Sequence, residues 1–337
     1  MTGTSSATAA KSTSVPTPIY RKQIPVIYGG KGVTVPVKLF KTLLYRDIQL
    51  ELTGQPTLTG ANNTQANTAM GDEWGCVQQI QWTVNGSDQL LTLSGDDLFW
   101  MNFFWYGQAP HTTATLGDAT TANPAFDSIL TIPAWMPRAF HPFDTAVDGG
   151  RYNDMQLSIT FGDYTAVNSA ATGWTANPSV SIISNEQVLP PDPNDQPKLN
   201  RVVKKLTNTV AGANSSYVIP LDAGVSYSRF VINQKTSAGT ADTTGDISNV
   251  QVVGAGGRIY ADLPWQNLVQ GARNRSRLPQ TVARRSTSSN DQSWGFLNLV
   301  QDGRLGESMP NPADARLVFN VSGACQINVI MEQIFPL

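Results

Sequence analysis

Short runs of alternating apolar and polar residues recur along the chain, and residues that favour turns separate them. Four clear runs are RDIQLEL at 46–52, VQQIQWTV at 77–84, MQLSITF at 155–161 and ARLVFNV at 315–321. A period of two puts every second side chain on one face of an extended segment, which is typical of half-buried strands in antiparallel sheets. The pattern predicts an all-β chain.

One predicted helix follows Ser94, which is a good N-cap residue. Asp97 lies three residues later, and Gly107 ends the aromatic-rich segment 98–107 (LFWMNFFWYG). Such a density of aromatic side chains is more typical of a core than of a stacking platform or a membrane-facing surface. We therefore predict that this helix packs in a core or between two domains.

A second predicted helix lies in DLPWQNLVQG. Asp262 precedes it, Pro264 suits its first turn, and Gly271 is expected to end it.

The same order of elements occurs twice in the sequence. The matched segments are 45–52 with 227–234, 77–86 with 247–256, the helices at Trp100 and Trp265, 128–132 with 295–299, 155–161 with 315–321, and the Glu-Gln pairs at Glu186 and Glu332. The separation falls from 170 residues (77 against 247) to 146 residues (186 against 332). A duplication with shorter loops in the second half predicts this trend, and two unrelated β segments of similar texture are the alternative.

The duplication predicts four segments along the chain. Residues 1–36 form an N-terminal arm, 37–190 a first domain, 191–206 a Pro-rich linker and 207–337 a second domain. Each domain offers about eight short strands and one short helix, which favours a jelly roll. The predicted fold class is all-β: two tandem jelly-roll β-sandwiches with short helices and an extended N-terminal arm.

The composition changes the picture of the surface. Charged residues make up 14% of the chain, against roughly 25% in ordinary soluble domains. Polar but weakly charged surfaces suit a protein whose flanks are covered by neighbours, since solvated faces normally carry Lys and Glu. A secreted or thermally robust monomer with a bland surface is the alternative.

The few charges are unevenly placed. Residues 1–46 contain no Asp or Glu, and their basic residues are Lys11, Arg21, Lys22, Lys31, Lys38, Lys41 and Arg46. A basic arm without opposing acids suits an anionic surface, either lipid headgroups or nucleic acid. A solvated tail without a partner is the alternative.

A second basic cluster follows the second helix and consists of Arg273, Arg275, Arg277, Arg284 and Arg285. The planar guanidinium group is favoured at protein interfaces and for phosphate binding. We predict a subunit interface here, with a solvated loop or a nucleic-acid contact as alternatives.

Signals for catalysis or metal binding are weak. His111 and His141 are the two histidines, Cys76 and Cys325 are the two cysteines, and their spacing fits no metal site or disulfide framework. We predict buried free thiols, no catalytic residue, no metal site, no cofactor and no enzymatic activity. A glycan-active enzyme would need only two facing carboxylates and stays a third, weaker hypothesis.

Two polar segments, 53–75 and 166–178, are rich in turn formers and are predicted to be long loops. Such loops at the end of a sandwich could bind a host receptor or a glycan. A tandem β-sandwich spike or adhesin that binds carbohydrate or a receptor is therefore the alternative function.

The stretch LLYRDIQLELTGQPTLTG, followed by VQQIQWTVNGSDQLLTLSGDDLFW, is similar to a known family. It resembles the first barrel of double jelly-roll major capsid proteins from tailless, membrane-containing bacteriophages of the adenovirus-like lineage. The resemblance extends through the duplication over about residues 37–337.

The resemblance implies a virion protein, made in the bacterial host cytoplasm. It implies homotrimers that form pseudo-hexagonal capsomers, contact neighbouring capsomers and minor capsid or penton proteins, and build an icosahedral shell over an inner membrane. The basic arm would then face inward, towards membrane lipid or the genome.

Overall fold

The computed structural model describes residues 18–58, 71–107, 110–112, 125–137, 142–168, 170–190, 196–239, 245–276, 293–300, 304, 308–311 and 313–336. Within these residues the chain folds into two jelly rolls made of strands, with one α-helix in each.

The first jelly roll consists of two facing sheets. One sheet contains β1 (Ile19–Lys22), β2 (Val26–Ile27), β4 (Leu44–Leu58), β7 (His111–Thr112), β8 (Phe126–Pro133), β9 (Val147–Asp148) and β11 (Ala171–Gln187). The facing strands are β3 (Thr34–Lys38), β5 (Val77–Val84), β6 (Asp88–Leu93) and β10 (Met155–Phe161).

The second jelly roll repeats this plan. One layer contains β12 (Leu199–Val210), β14 (Val225–Thr236), β17 (Trp294–Asn298), β18 (Met309–Asn311) and β20 (Cys325–Pro336). The facing layer contains β13 (Asn214–Pro220), β15 (Ile247–Val253), β16 (Ile259–Pro264) and β19 (Arg316–Val321).

The strand order is the same in both halves. The first half reads β1-β11-β4-β8 in one layer and β3-β10-β5-β6 in the other, and the second reads β12-β20-β14-β17 and β13-β19-β15-β16. If the eight main strands of each half are numbered along the chain, both halves follow the orders 1-8-3-6 and 2-7-4-5. The predicted fold class, two tandem jelly rolls, is therefore confirmed.

The two jelly rolls share one continuous sheet. Strand β6 of the first pairs in parallel with β12 of the second at Leu91 and Val203. This contact joins four strands of the first jelly roll to the strands of the second, so that a nine-stranded sheet runs through both.

The alternating runs lie where the sequence predicts them. Strands β5 and β10 have the predicted bounds, and the side chains at 80, 82 and 84 and at 155, 157, 159 and 161 are all buried. Two apolar cores result: Cys76 lies in the core of the first jelly roll, which extends to the junction, and Cys325 lies in the core of the second. Neither cysteine forms a disulfide and both are buried, as predicted.

Helix α1 (Gly95–Tyr106) matches its prediction closely. The Ser94 hydroxyl accepts a hydrogen bond from the Asp97 amide, and the Asp97 carboxylate accepts one from the Ser94 amide, which together form a capping box. Gly107 ends the helix with a left-handed φ of 69°.

Helix α2 (Trp265–Ser276) starts near the predicted position but does not end at Gly271. A Cβ atom at Gly271 would lie 3.0 Å from the Phe296 carbonyl oxygen on β17. Glycine therefore lets the helix approach the strand closely, and this packing outweighs the weak helix propensity of the residue.

Two predicted boundaries are wrong. Strands β1 and β2 pair with β11, and β3 pairs with β10, so residues 19–36 belong to the first jelly roll and not to a free arm. Strand β12 begins at Leu199, inside the predicted linker 191–206, so the second jelly roll starts eight residues before 207. Both segments are short or Pro-rich, and distant strands supply their pairing partners.

Candidate functional site

The junction between the jelly rolls is built around α1. Every residue of this helix from Gly95 to Trp105 is buried. The Trp100 ring lies 5.6 Å from the Trp294 ring of the second jelly roll, and the Phe104 ring stacks on Phe296 at 5.5 Å. The prediction that the helix within residues 98–107 packs in a core or between two domains is confirmed.

A buried carboxylate on β20 ties the second jelly roll together at this junction. Glu332 accepts hydrogen bonds from Arg201 of β12 at 3.0 Å and from Arg229 of β14 at 3.3 Å. Trp105 of α1 donates its indole N–H to the same carboxylate at 2.5 Å. All four side chains are buried, so two cations share one carboxylate away from water.

The two arginines also bind the backbone of the first jelly roll. Arg201 donates to the Pro133 carbonyl at 2.9 Å, and Arg229 donates to the Pro137 carbonyl at 2.9 Å. Burial alone would raise the pKa of Glu332, but the two guanidinium groups and the Trp105 indole outweigh it and hold that pKa at about 2. The cluster therefore stays charged at neutral pH.

Further ion pairs join the start of α1 to the second jelly roll. Asp97 lies 2.6 Å from the Lys205 ammonium on β12, and Asp96 lies 3.9 Å from that of Lys235 on β14. Burial opposes ionisation of Asp97, but Lys205 and the Ser94 hydrogen bonds keep its pKa below the usual value. Acids in the first turn also complement the helix dipole.

Two tyrosines fix which residues of the two jelly rolls are equivalent. Tyr45, near the start of β4, donates its hydroxyl to the Phe40 carbonyl at 2.7 Å. Tyr227, near the start of β14, donates its hydroxyl to the Asp222 carbonyl at 3.1 Å. The acceptor lies five residues upstream in both cases, so the tyrosines occupy the same position.

This equivalence corrects the match between the repeated Glu-Gln pairs. Tyr45 pairs with Glu186 across the sheet, whereas Tyr227 pairs with Gln333. Glu186 is therefore equivalent to Gln333 and not to Glu332, and the predicted match is wrong by one residue. A shift of one residue in a strand turns the side chain to the other face.

Glu186 accordingly has different partners from Glu332. Its carboxylate lies 3.1 Å from the Arg21 guanidinium of β1 and accepts a hydrogen bond from the Ser184 hydroxyl at 2.6 Å. Both contacts lie within the first jelly roll, so this acid plays no part in the junction.

Several basic residues predicted to lie on a free arm are paired with acids on the first jelly roll. Besides the Arg21 pair, Lys22 lies 4.0 Å from Glu51, and Lys31 lies 3.6 Å from Asp163. Lys11 lies outside the described residues. All three acids lie beyond residue 46, so a composition count over residues 1–46 could not reveal them.

Three basic side chains gather at one end of the first jelly roll, around Phe40. The Arg21 guanidinium lies 4.4 Å from the Phe40 ring centroid, Lys41 donates to the Asn153 carbonyl, and exposed Lys38 ends β3 nearby. Phe40 is itself 46% exposed. Lys31 lies apart, near the opposite end of β10.

The second basic cluster lies largely beyond what the structure describes. Arg273 is half-buried on α2. The Arg275 side chain and the whole of Arg277, Arg284 and Arg285 lie outside the described residues, so the predicted subunit contact there stays a prediction.

The two predicted binding loops are partly strand. Residues 53–58 continue β4, and residues 171–178 belong to β11 and pair with β4. Residues 59–70 lie outside the described part. Turn-forming residues dominate both segments, but cross-strand pairing overrides their local preference.

The two histidines were the first candidates for catalysis or metal binding. His111 lies on β7, where its carbonyl accepts a hydrogen bond from Ser128, and His141 lies outside the described residues. Within the described ranges no cluster of three His, Cys, Asp or Glu side chains could hold a metal ion. Neither described helix has the length and hydropathy needed to span a membrane.

Sequence reasoning missed the Glu332 cluster. A signal was present, because Arg201 and Arg229 each directly precede a short apolar run, and Glu332 directly follows one. A charge at such a position is buried only when a partner is present, but the partners lie on three strands that the sequence does not align.

No protein-family model matches this sequence, and no curated protein matches it. Solved structures do match it along nearly its whole length. The MCP of Sulfolobus turreted icosahedral virus (STIV) has a TM-score of 0.70 and 13% identity, with 94% of this chain and 96% of that chain covered.

Two further structures show the same likeness. The major capsid protein P2 of bacteriophage PM2 has a TM-score of 0.62 and 12% identity over 95% of this chain and 98% of that one. The Faustovirus major capsid protein has a TM-score of 0.57 and 9% identity over 100% of this chain and 92% of that one. At these identities the likeness shows a common fold, the double jelly roll.

Proposed function

We propose that this chain is the major capsid protein of an icosahedral virus. One observation carries the proposal: the chain shares the duplicated jelly-roll fold with capsid proteins over at least 92% of both partners in each comparison. The proposed role is structural, and the place of the protein is the virion.

The proposed assembly unit is a homotrimer that forms a pseudo-hexagonal capsomer. Capsomers contact one another and minor capsid or penton proteins in a shell over an inner membrane. The low share of charged residues, 14%, supports flanks that are buried against other copies. The buried, hydrogen-bonded junction around Glu332 supports a unit that keeps one shape during assembly.

Purified protein is expected to sediment as a trimer or a larger species, and negative-stain images are expected to show hexagonal tiles. A strict monomer at high protein concentration in sedimentation velocity contradicts the proposal.

The end of the first jelly roll around Phe40 is proposed to face the anionic interior, either membrane lipid or genome. Lys38 and Lys41 supply positive charge there, Arg21 lies beside the Phe40 ring, and β1, which follows the predicted arm with Lys11 in the sequence, begins at the same end. An exposed aromatic ring among cations suits a headgroup layer, where rings and lysines bind together.

Replacing Lys38 and Lys41 with glutamine is expected to weaken binding to vesicles containing phosphatidylserine by about 30-fold, since each surface cation contributes to attraction by anionic lipid. The control is Lys31→Gln with Arg258→Gln, which removes two charges elsewhere. Vesicle co-sedimentation measures both. Equal losses in the two variants would show that net charge matters and the Phe40 end does not.

A further inference from the structure

A small cavity lies between the two jelly rolls, beside the Glu332 cluster. Its volume is about 10 Å³, close to the space that one water molecule needs. Trp82 of β5 lines it from the first jelly roll, and Arg201 of β12 lines it from the second. Most of the other lining side chains are apolar: Leu90, Leu91, Ile132, Val147 and Val203. The cavity therefore suits one small molecule or ion that touches both jelly rolls.

Arg201 brings a hydrogen-bond donor to this cavity that its known partners do not use. One terminal nitrogen of the guanidinium donates to the Pro133 carbonyl at 2.9 Å, and the other donates to Glu332 at 3.0 Å. The Nε atom is buried, and no described residue accepts a hydrogen bond from it. Because the residue is only 5% exposed, bulk water does not replace the partner. A buried donor on a charged group costs free energy unless it has an acceptor.

The Trp82 indole carries a second donor of the same kind. Its Nε1 atom is buried, and no described residue accepts a hydrogen bond from it. The residue is 2% exposed, and a buried indole N–H usually has a partner. Two side chains that line one cavity, one from each jelly roll, thus each carry a donor that needs an acceptor.

The lining of the cavity favours an anion over a water molecule. A water molecule could accept both hydrogen bonds, but its own two O–H groups would need acceptors, and the apolar side chains around it offer none. A monatomic anion has no hydrogens and accepts charge-assisted hydrogen bonds from both donors. Glu332 also accepts a hydrogen bond from Arg229, so Arg201 shares that carboxylate with a second guanidinium group. A further negative charge beside Arg201 is therefore favourable.

We propose that this cavity binds one halide ion, chloride under ordinary conditions, between Arg201 Nε and Trp82 Nε1. Each jelly roll supplies one donor, so the ion bridges β5 and β12 across the junction. The size of the cavity excludes sulfate and phosphate, which are much larger than a water molecule. The inference concerns how the two halves of the chain are held together, and it does not depend on the proposed capsid role.

A bridging ion makes the stability of the chain depend on chloride itself. An ion that binds the folded chain and not the unfolded chain stabilises the fold as its concentration rises. Exposed ion pairs such as Lys204 with Asp222 respond differently, because any salt screens them. The two effects can be separated, since only the first requires a halide.

Urea denaturation at constant ionic strength tests the proposal, with sodium gluconate replacing sodium chloride. Once chloride exceeds its dissociation constant, the equilibrium constant for unfolding is expected to fall tenfold for each tenfold rise in chloride. Sodium bromide is expected to act like sodium chloride. An unfolding equilibrium that stays the same between gluconate and chloride overturns the proposal.

Two matched variants test the assigned donor. Trp82→Phe removes the indole N–H and keeps an aromatic ring, and it is expected to bind chloride at least tenfold more weakly. Trp294→Phe is the control, because the Trp294 indole N–H is also buried without a described acceptor, but this side chain lies outside the lining of the cavity. The control is expected to keep the chloride dependence of the wild-type chain. Equal chloride dependence in the two variants overturns the assignment of Trp82.

A crystal of the unaltered chain soaked in sodium bromide locates the ion directly and requires no variant to fold. One anomalous peak is expected in the cavity, within hydrogen-bond distance of Arg201 Nε and Trp82 Nε1. Density there without an anomalous peak would identify a water molecule and overturn the halide. A peak without any chloride dependence of unfolding would show binding at crystal concentration only, and it would equally overturn the proposed bridge.

Discussion

Glutamine in place of Glu332 is expected to lower the free energy of unfolding by about 3–5 kcal/mol, because it leaves two arginines buried without a counter-charge. Arg201 and Arg229 are held by this carboxylate at 3.0 and 3.3 Å, and all three side chains are buried. The variant keeps the size and shape of the side chain, so the loss reports charge and not packing. Urea denaturation monitored by fluorescence measures it.

The same substitution is expected to remove a pH dependence. The folded pKa of Glu332 is about 2, below its usual value of 4.5. A lowered pKa stabilises the fold fully above the unfolded value, and this stabilisation is lost as the pH falls from about 4.5 towards 2. The wild-type chain should therefore lose stability over this range more steeply than the variant.

The control for Glu332→Gln is Asp222→Asn, because Asp222 pairs with Lys204 at 3.4 Å where both side chains are well exposed. Exposed pairs contribute less than about 1 kcal/mol. A loss at Glu332 no larger than at Asp222 would show that the buried cluster does not stabilise the fold.

Trp100→Ala is expected to destabilise the chain by about 3–5 kcal/mol, since it opens a cavity between α1 and β17. The Trp100 ring is 3% exposed and lies 5.6 Å from Trp294 and 5.7 Å from Phe103. Because these contacts link the two jelly rolls, the loss should affect the unfolding of both. Thermal unfolding followed by circular dichroism measures the change.

Trp100→Phe is the matched variant for this site. Among the residues that the structure describes, none accepts a hydrogen bond from the Trp100 indole N–H, so phenylalanine removes volume without leaving one of their acceptors unsatisfied. The expected loss is well below that of alanine. Equal losses in the two variants would mean that the ring itself does not hold the junction.

Much of the fold could be predicted from the sequence because its signals are local. The alternation of apolar residues at Ile80, Trp82 and Val84 predicts a strand without reference to any partner strand. The capping box of Ser94 and Asp97 spans only four residues and predicts the start of α1. The repeated order of elements predicted the duplication, since order survives when individual matches are weak.

The failures concern relations between distant residues. Strand β1 is four residues long and is a strand because residues 183–186 pair with it. Helix α2 continues past Gly271 where it packs closely on Phe296 of β17, a contact that the sequence does not show. The one-residue error at Glu186 arose because the Glu-Gln sequence occurs in both jelly rolls but in different strand registers. Only the pairing of Glu186 with Tyr45 reveals this difference.

The two buried thiols make the halves of the molecule separately observable. Cys76 and Cys325 lie in different apolar cores, and neither forms a disulfide. An alkylating reagent can reach each sulfur only when the sheets around it open. The labelling rate at each cysteine therefore measures the local opening of that half of the molecule. Matching rates would mean that the halves open as one body, and a faster rate at one cysteine would identify the half that opens first.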